Sequence, residues 1–293
     1  VGGLSIAAFN EVDEGLDTII AKTGATGDAL DEMQGIFENI ATTIPTDFNT
    51  VGEAVGEVST RFGVTGQELE DLTTYFIKFA DVTGTDVTSA VDSTQKALSA
   101  FGLDASDATG LLDTLNTVGQ QTGTSMDSLL NGLIQNGTAF QEMGLSADQA
   151  AVFMGQMETS GANSETVMQG LRKALKSATE DGIPLNQALS DLQDTILNGT
   201  DSMDGLTAAS DLFGKSGDQI YAAVQNGTLS FTDLAAAATD SSGSVSDAFV
   251  AMLDPADEAT MAMNQAKLAG AEIGNTLMTI AAPAIQKVAD VEI

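Results

Sequence analysis

Neither cysteine nor histidine occurs anywhere in the 293 residues. Without cysteine there are no disulfides and no thiolate metal site, and nothing in the chain records a redox compartment. Without histidine the commonest general base, the commonest zinc ligand and every Ser-His or Cys-His triad are excluded. Bases are scarce as well: 10 Lys and Arg face 42 Asp and Glu, giving a formal net charge of −32. Stable nucleic-acid binding draws its affinity from Lys and Arg on phosphates, so this balance argues against it. Anionic membrane surfaces are disfavoured for the same reason. Only four prolines occur, which suits a helical protein.

The residues that are present argue for a folded chain. Hydrophobic residues make up 43% of the sequence, too many for the acidity to signal disorder. The length suffices for one large or two ordinary domains. No secretory leader is visible and the chain starts at Val1, so a piece of a longer protein is expected. The least polar stretch, Ile273 to Gln286, is too short to span a bilayer and is flanked by Glu272 and Lys287.

Apolar residues recur at helical spacing. Leu69, Leu72, Phe76 and Phe79 form one stripe, and Val87, Val91, Leu98 and Phe101 a second. Ala108, Leu111, Leu115 and Val118 form a third, then Met126, Leu130, Leu133 and Phe140 a fourth. No segment sustains the period-two alternation of a strand. Threonine sits mostly beside glycine, where it reads as caps and turns.

Between the stripes a single kind of junction recurs. "FGVTGQE" begins at 62, "FGLDASD" at 101, "MGLSADQ" at 143 and "FGKSGDQ" at 213. In each, a bulky apolar residue precedes a glycine suited to the left-handed turn that closes a helix. Thr65, Asp104, Ser146 or Ser216 then stands where an N-cap belongs, with Glu68, Asp107, Gln149 or Gln219 three residues on as capping-box partner. Weaker stops fall midway, at Gly84 before Thr85, Gly123 before Thr124 with Asp127, and Gly161 before Asn163. The pattern predicts helical hairpins, beyond the generic caps that any all-helical protein needs, and not a true repeat, because the helices between the junctions differ.

After about residue 200, "NGTDSMDG" and "TDSSGSVSD" read as loops, with short helices over 217–224 and 231–238. A longer helix is expected from Pro255, kinked at Pro283. Its Ala266, Gly270, Ile273, Leu277, Ile280 and Ala284 follow coiled-coil spacing, so this stripe meets another subunit or packs on its own domain. The expected fold is all-α: a compact array of short antiparallel helical hairpins followed by a longer C-terminal helix. Its expected divisions are N-terminal helices over 1–45, a hairpin core module over 46–240 and the C-terminal helix over 241–293.

Candidate chemistry is sparse. Among 42 carboxylates, pairs at glycosidase-like separation arise by chance. Asp201, Asp204 and Gly205 touch on a calcium loop but lack alternating oxygen ligands and a closing Glu. Asn136, Asn198 and Asn226 begin Asn-Gly-Thr triplets that match the glycosylation sequon; the latter two fit helix ends. Asn136 falls inside a helix, where Gly137 costs about 1 kcal/mol relative to alanine. Arg172, Lys173 and Lys176 form the one basic cluster, read as offsetting nearby acids on a solvated face. No Gly-rich phosphate loop with a following lysine exists. No catalytic, cofactor-binding or metal-binding residue is assigned, no cofactor is expected, and the chain does not read as an enzyme.

The order of segments carries a resemblance. "AFNEVDEGLDTIIAKTGATGDALDEM", then residues 62–161 from "FGVTGQELEDLTTYF" to "GQMETSG", then "LRKAL", resembles the tail tape measure proteins of tailed bacteriophages. "DLFGKSGDQIYAAV" and "IGNTLMTIAAPAI" fall where that family has similar segments, so the likeness covers roughly 5–290. The chain departs at "SETVMQGLRKAL" (Ser164 to Leu175), where the family often has an Ala-Gly-Thr step. The resemblance implies a virion tail protein, assembled in the bacterial host cytoplasm, that templates tail length and leaves ahead of DNA during ejection. It also implies tail tube proteins, tail tip proteins and tail assembly chaperones as partners; self-association through the C-terminal helix is expected from its coiled-coil spacing instead. A ruler should be extended, at about 1.5 Å per residue of helix. Helices broken by frequent caps fold back instead, so this segment is expected to be a compact head or anchoring module. The competing reading is a free-standing acidic helical interaction module. A carboxylate-pair cell-wall hydrolase, a domain that some parent chains of the family carry, is a more distant third.

Overall fold

The computed structural model describes residues 2–161, 164–199, 201–232, 234 and 241–289. Side chains are described for all of these except 2–6, 164, 165, 273, 274 and 276–289. Every regular element among them is helical, so the chain is all-α. The first helices are α1 (Gly2–Thr23), α2 (Asp28–Thr43), α3 (Phe48–Phe62), α4 (Gly66–Thr83) and α5 (Val87–Phe101). After a 3-10 turn (Ala105–Asp107) come α6 (Ala108–Thr122), α7 (Met126–Glu142), α8 (Ala147–Ser160), α9 (Ser164–Asp181), α10 (Leu185–Asn198) and α11 (Ser202–Phe213). A second 3-10 turn (Gly214–Ser216) leads into α12 (Gly217–Gln225), and α13 (Ser244–Met252) and α14 (Pro255–Ala289) follow.

The helices end where glycine permits it. Gly102 and Gly144 take φ of 68° and 74°, and positive φ recurs at Gly63, Gly84, Gly123 and Gly161. The restarts are less uniform. Asp104 and Asp107 form a reciprocal capping box, as do Ser146 and Gln149. At Thr65 no side-chain cap forms: Gly66 follows with φ of 61°, so the next amides leave the course on which a hydroxyl meets them. The expected Ser216–Gln219 box is also absent. There the chain passes through a 3-10 turn, Ser216 is helical rather than extended, and its buried hydroxyl donates to the Phe213 carbonyl. After Gly123 the cap is Ser125, which accepts from Ser128 N, and not Thr124. Asn163 lies outside the described residues.

Two further expectations change. "DSMDG" does not form a loop: Asp201 accepts from Met203 N and starts α11. The short helix expected over 231–238 lies largely outside the described residues. Pro255 does open α14, behind an Asp254–Asp257 pair that mirrors the box at Asp104.

Packing divides the chain into two units. Unit 1 comprises Val1–Asp92 with Ala248–Ile293, and unit 2 comprises Ser93–Asp247. In unit 1, α1 packs chiefly on α3 and α14, around Ile19, Phe37, Val51, Val55 and Phe76. Gly15 of α1 meets Gly52 of α3 so closely that a Cβ on Gly52 would lie 2.3 Å from the Gly15 carbonyl oxygen. Further along both helices Lys22 covers Gly56, and the Lys22 carbonyl accepts from Thr60, so α1 and α3 run in the same direction. In unit 2, α6 and α8 pair likewise, with Thr114 on Asp148 and Val118 on Gly155. Each of these helices has as principal neighbour the one after next, while α3 with α4 and α7 with α8 also pack as consecutive pairs. Gly137, unfavourable for helix α7, is explained here: a Cβ would come within 2.7 Å of Ala100.

The described part of α14 packs on α1 and α2 in unit 1. Asn264 is buried and donates to the carbonyls of Ala41 and Thr46, each at 2.8 Å, and Ala271 is buried beyond it. Of the expected seam, Ala266 is exposed and Gly270 lies near Ala8; Ile273, Leu277, Ile280 and Ala284 fall outside the described side chains.

Candidate functional site

In unit 1 the bases whose side chains are described are drawn into the fold. Glu57 of α3 accepts from Lys22 and from Arg61 Nε, each at 2.5 Å, and Arg61 Nη1 reaches Asp92 at 2.6 Å. Burial opposes charge on Glu57, but hydrogen bonds and attraction from Lys22 and Arg61 outweigh it and hold its carboxyl below the ordinary range. Lys267 pairs with Glu11 and lies over the Phe48 ring, and Lys78 lies over Phe249.

The basic cluster of α9 in unit 2 is exposed, on one helix. Lys173 donates to the Asp211 carbonyl at 2.7 Å, at the C-terminal end of α11 where a cation is favoured. Lys176 lies 3.8 Å from Glu180. Asp201 is a helix cap, and a Cβ on Gly205 would lie 3.1 Å from both Ile196 and Tyr221, so this stretch is a helix start and not a calcium loop. Asn136 donates to the Gly132 carbonyl inside α7, while Asn198 and Asn226 stand at helix ends. Among the described residues no group of three or more carboxylates is placed to hold a metal ion. No helix among them is long and apolar enough to cross a membrane.

The most elaborate polar arrangement is one the sequence did not single out. Helix α6 is buried on nearly every side, including Asp113, Thr114 and Asn116. Asp113 accepts from Gly243 N at 2.7 Å and Val245 N at 3.0 Å, serving as N-cap of α13 from a distant helix. Ser244 Oγ donates to the Asp113 carbonyl, Asn116 donates to Ser244 Oγ, and the Thr114 and Ser241 hydroxyls lie 3.0 Å apart. The signal was present in "LLDTLNTV", where polar residues alternate with leucines too closely for one apolar stripe to account for both faces.

Beside this latch, the "FGLDASD" and "MGLSADQ" junctions line a cavity of about 620 Å³ that holds Asp107 and Asp148. Burial pushes the Asp148 carboxyl up; a hydrogen bond with Thr114 opposes this and the charge of Asp107 adds to it. Asp148 Oδ1 is buried without a partner. The serine hydroxyls in the lining are engaged in the caps: Ser106 donates to Asp104, and Ser146 accepts from Gln149 N. The cavity offers two carboxylates on helix starts, with no basic side chain in its lining to draw a proton or hold an anion.

Comparison with known proteins gives one family: the model for a phage-related minor tail protein matches residues 37–215, more than half of the chain. No curated protein matches it.

Proposed function

From the premise that the chain belongs to the phage-related minor tail protein family, we propose that it is the compact helical module of a tail tape measure protein. The observation that carries this reading is the overlap of the family match with the glycine-closed helices from α2 to the turn after α11. In this role it is a structural component of the virion tail, assembled in the host cytoplasm, and not an enzyme. Tail tube and tail tip proteins and the assembly chaperones are its partners, with self-association through α14. Helices of this length, packed back on one another, anchor a tail; they do not measure it.

The charge supports the ejection part of the reading. A protein that shares a narrow channel with DNA is best not adhesive to it, and a net charge of −32 repels phosphate. Purified protein is expected not to shift duplex DNA at physiological salt, and a shift would remove that part.

In-frame deletion of residues 37–215 from the phage tests the rest. Tails are expected to be absent or disordered under the electron microscope; tails shortened by about 1.5 Å per deleted residue would contradict an anchoring module. The alternative, a free-standing acidic interaction module, draws on the apolar residues exposed near the start of α14. Antibody labelling confined to tails favours the tail reading over it.

A further inference from the structure

Among the described residues the large apolar side chains left exposed are mostly scattered, but four of them lie between residues 250 and 263 in unit 1. Val250 is 65% exposed, Met252 51%, Leu253 40% and Met263 58%. Immediately before them, Phe249 lines a cavity of about 380 Å³. Its apolar part comes from the buried side chains of Ile44, Ile77 and Val87, and its walls carry the carboxylates of Glu53, Asp81 and Asp86. Burial, and then the charge of Asp257 in the first turn of α14, push the Asp81 carboxyl up. Asp254 and Glu258 flank Asp257 in sequence and are exposed.

We infer that this surface docks a cationic amphipathic helix of a partner protein. Exposed apolar side chains that follow directly on an acid-walled cavity ask for apolar side chains within one turn of Lys or Arg, the pattern of a basic amphipathic helix. Lys and Arg stems lie on the apolar floor while their charges reach the carboxylates. Two of the four patch residues are methionines, whose flexible thioethers adapt to a helix face. Phe249 already takes one cation, Lys78, whose Nζ lies 5.5 Å from the ring centroid. A second copy of the chain brings the same acids and a net charge of −32, so like charge disfavours it as occupant. The inference is independent of the tape measure reading and survives its failure.

The test uses the whole chain and a labelled synthetic helix with leucine on one face and lysine on the other. Fluorescence anisotropy at physiological salt is expected to give saturable binding. Binding should be at least tenfold weaker for a helix with glutamate in place of lysine, and for one with serine in place of leucine. The paired substitution Val250→Ser with Met263→Ser leaves the charge untouched and is expected to weaken binding tenfold or more. Asp81→Asn with Asp257→Asn should do the same, while Met203→Ser in unit 2 has no effect. Hydrogen exchange on the unaltered chain should show peptide protection over 77–87 and 249–263, which reads the site even if a variant fails to fold. Indifference to the Val250 and Met263 changes, or protection spread over all helices, would reduce the binding to diffuse charge attraction and overturn the inference. A dimer of the chain alone that Val250→Ser with Met263→Ser dissolves would assign the surface to a second copy, and overturns it too.

Discussion

Glycine does two opposed jobs in this molecule, and one residue of each kind separates them. At Gly52 a Cβ has nowhere to go, because the atom in its way is the Gly15 backbone oxygen at 2.3 Å. Gly52→Ala is therefore expected to destabilise the fold by about 1–3 kcal/mol, the usual range for overpacking. Gly35, exposed in the middle of α2, has open space within 4 Å of the point where a methyl group would sit. Gly35→Ala should stabilise by about 0.5–1 kcal/mol through helix propensity alone. Urea unfolding of both variants reads the contrast, and equal effects would mean that α1 and α3 do not approach as described. Glu57 supplies a second residue-scale prediction. Its folded pKa is depressed, so the stability it contributes is present above the ordinary 4.5 and is lost as pH falls through the folded value. Glu57→Gln should cost stability at neutral pH, and the gap to the unaltered chain should close on acidification below 4.5.

At the scale of elements, the glycine stops were legible because their signal is local: a left-handed residue closes a helix whatever surrounds it. The restarts were only half legible. A capping box needs its first residue extended and the following amides in helical course. Ser146 meets both conditions, Thr65 meets one, and Ser216 meets neither. Ser146→Ala is accordingly expected to cost about 1 kcal/mol, while Thr65→Ala should fall within the error of the measurement. The start of α11 was misread as a loop because Asp, Ser and Gly favour turns and caps alike, and only the helix that follows decides between them. Asn264 escaped for the opposite reason. A buried polar residue on an apolar face carries no periodicity, and its worth depends on carbonyls at the end of α2 that sequence distance hides.

For the whole molecule, the all-α class and the acidic character could be read from composition and period. The grouping of the ends of the chain into one unit could not, because apolar spacing in α1 and α14 says only that each has a face to bury. The latch at Asp113 was hidden likewise: its partners, Gly243 and Val245, are backbone amides, which leave no mark in the sequence. Net charge governs the next prediction. With 42 acids against 10 bases, and Lys22, Arg61 and Lys267 already paired, repulsion among the remaining carboxylates opposes the fold. Raising NaCl from about 10 to 150 mM shortens the screening length from about 30 to 8 Å. The melting temperature is expected to rise over that interval; a fall would mean that the ion pairs outweigh the repulsion.

The clasp of α14 on α1 fixes the order in which the molecule matures. On the ribosome, α1 and α2 emerge well before α14, yet part of the apolar face of each waits for that later strip of chain. Unit 2 has all of its residues in hand well before then. Unit 2 can thus complete before unit 1, and α1 and α2 need shelter until α14 arrives.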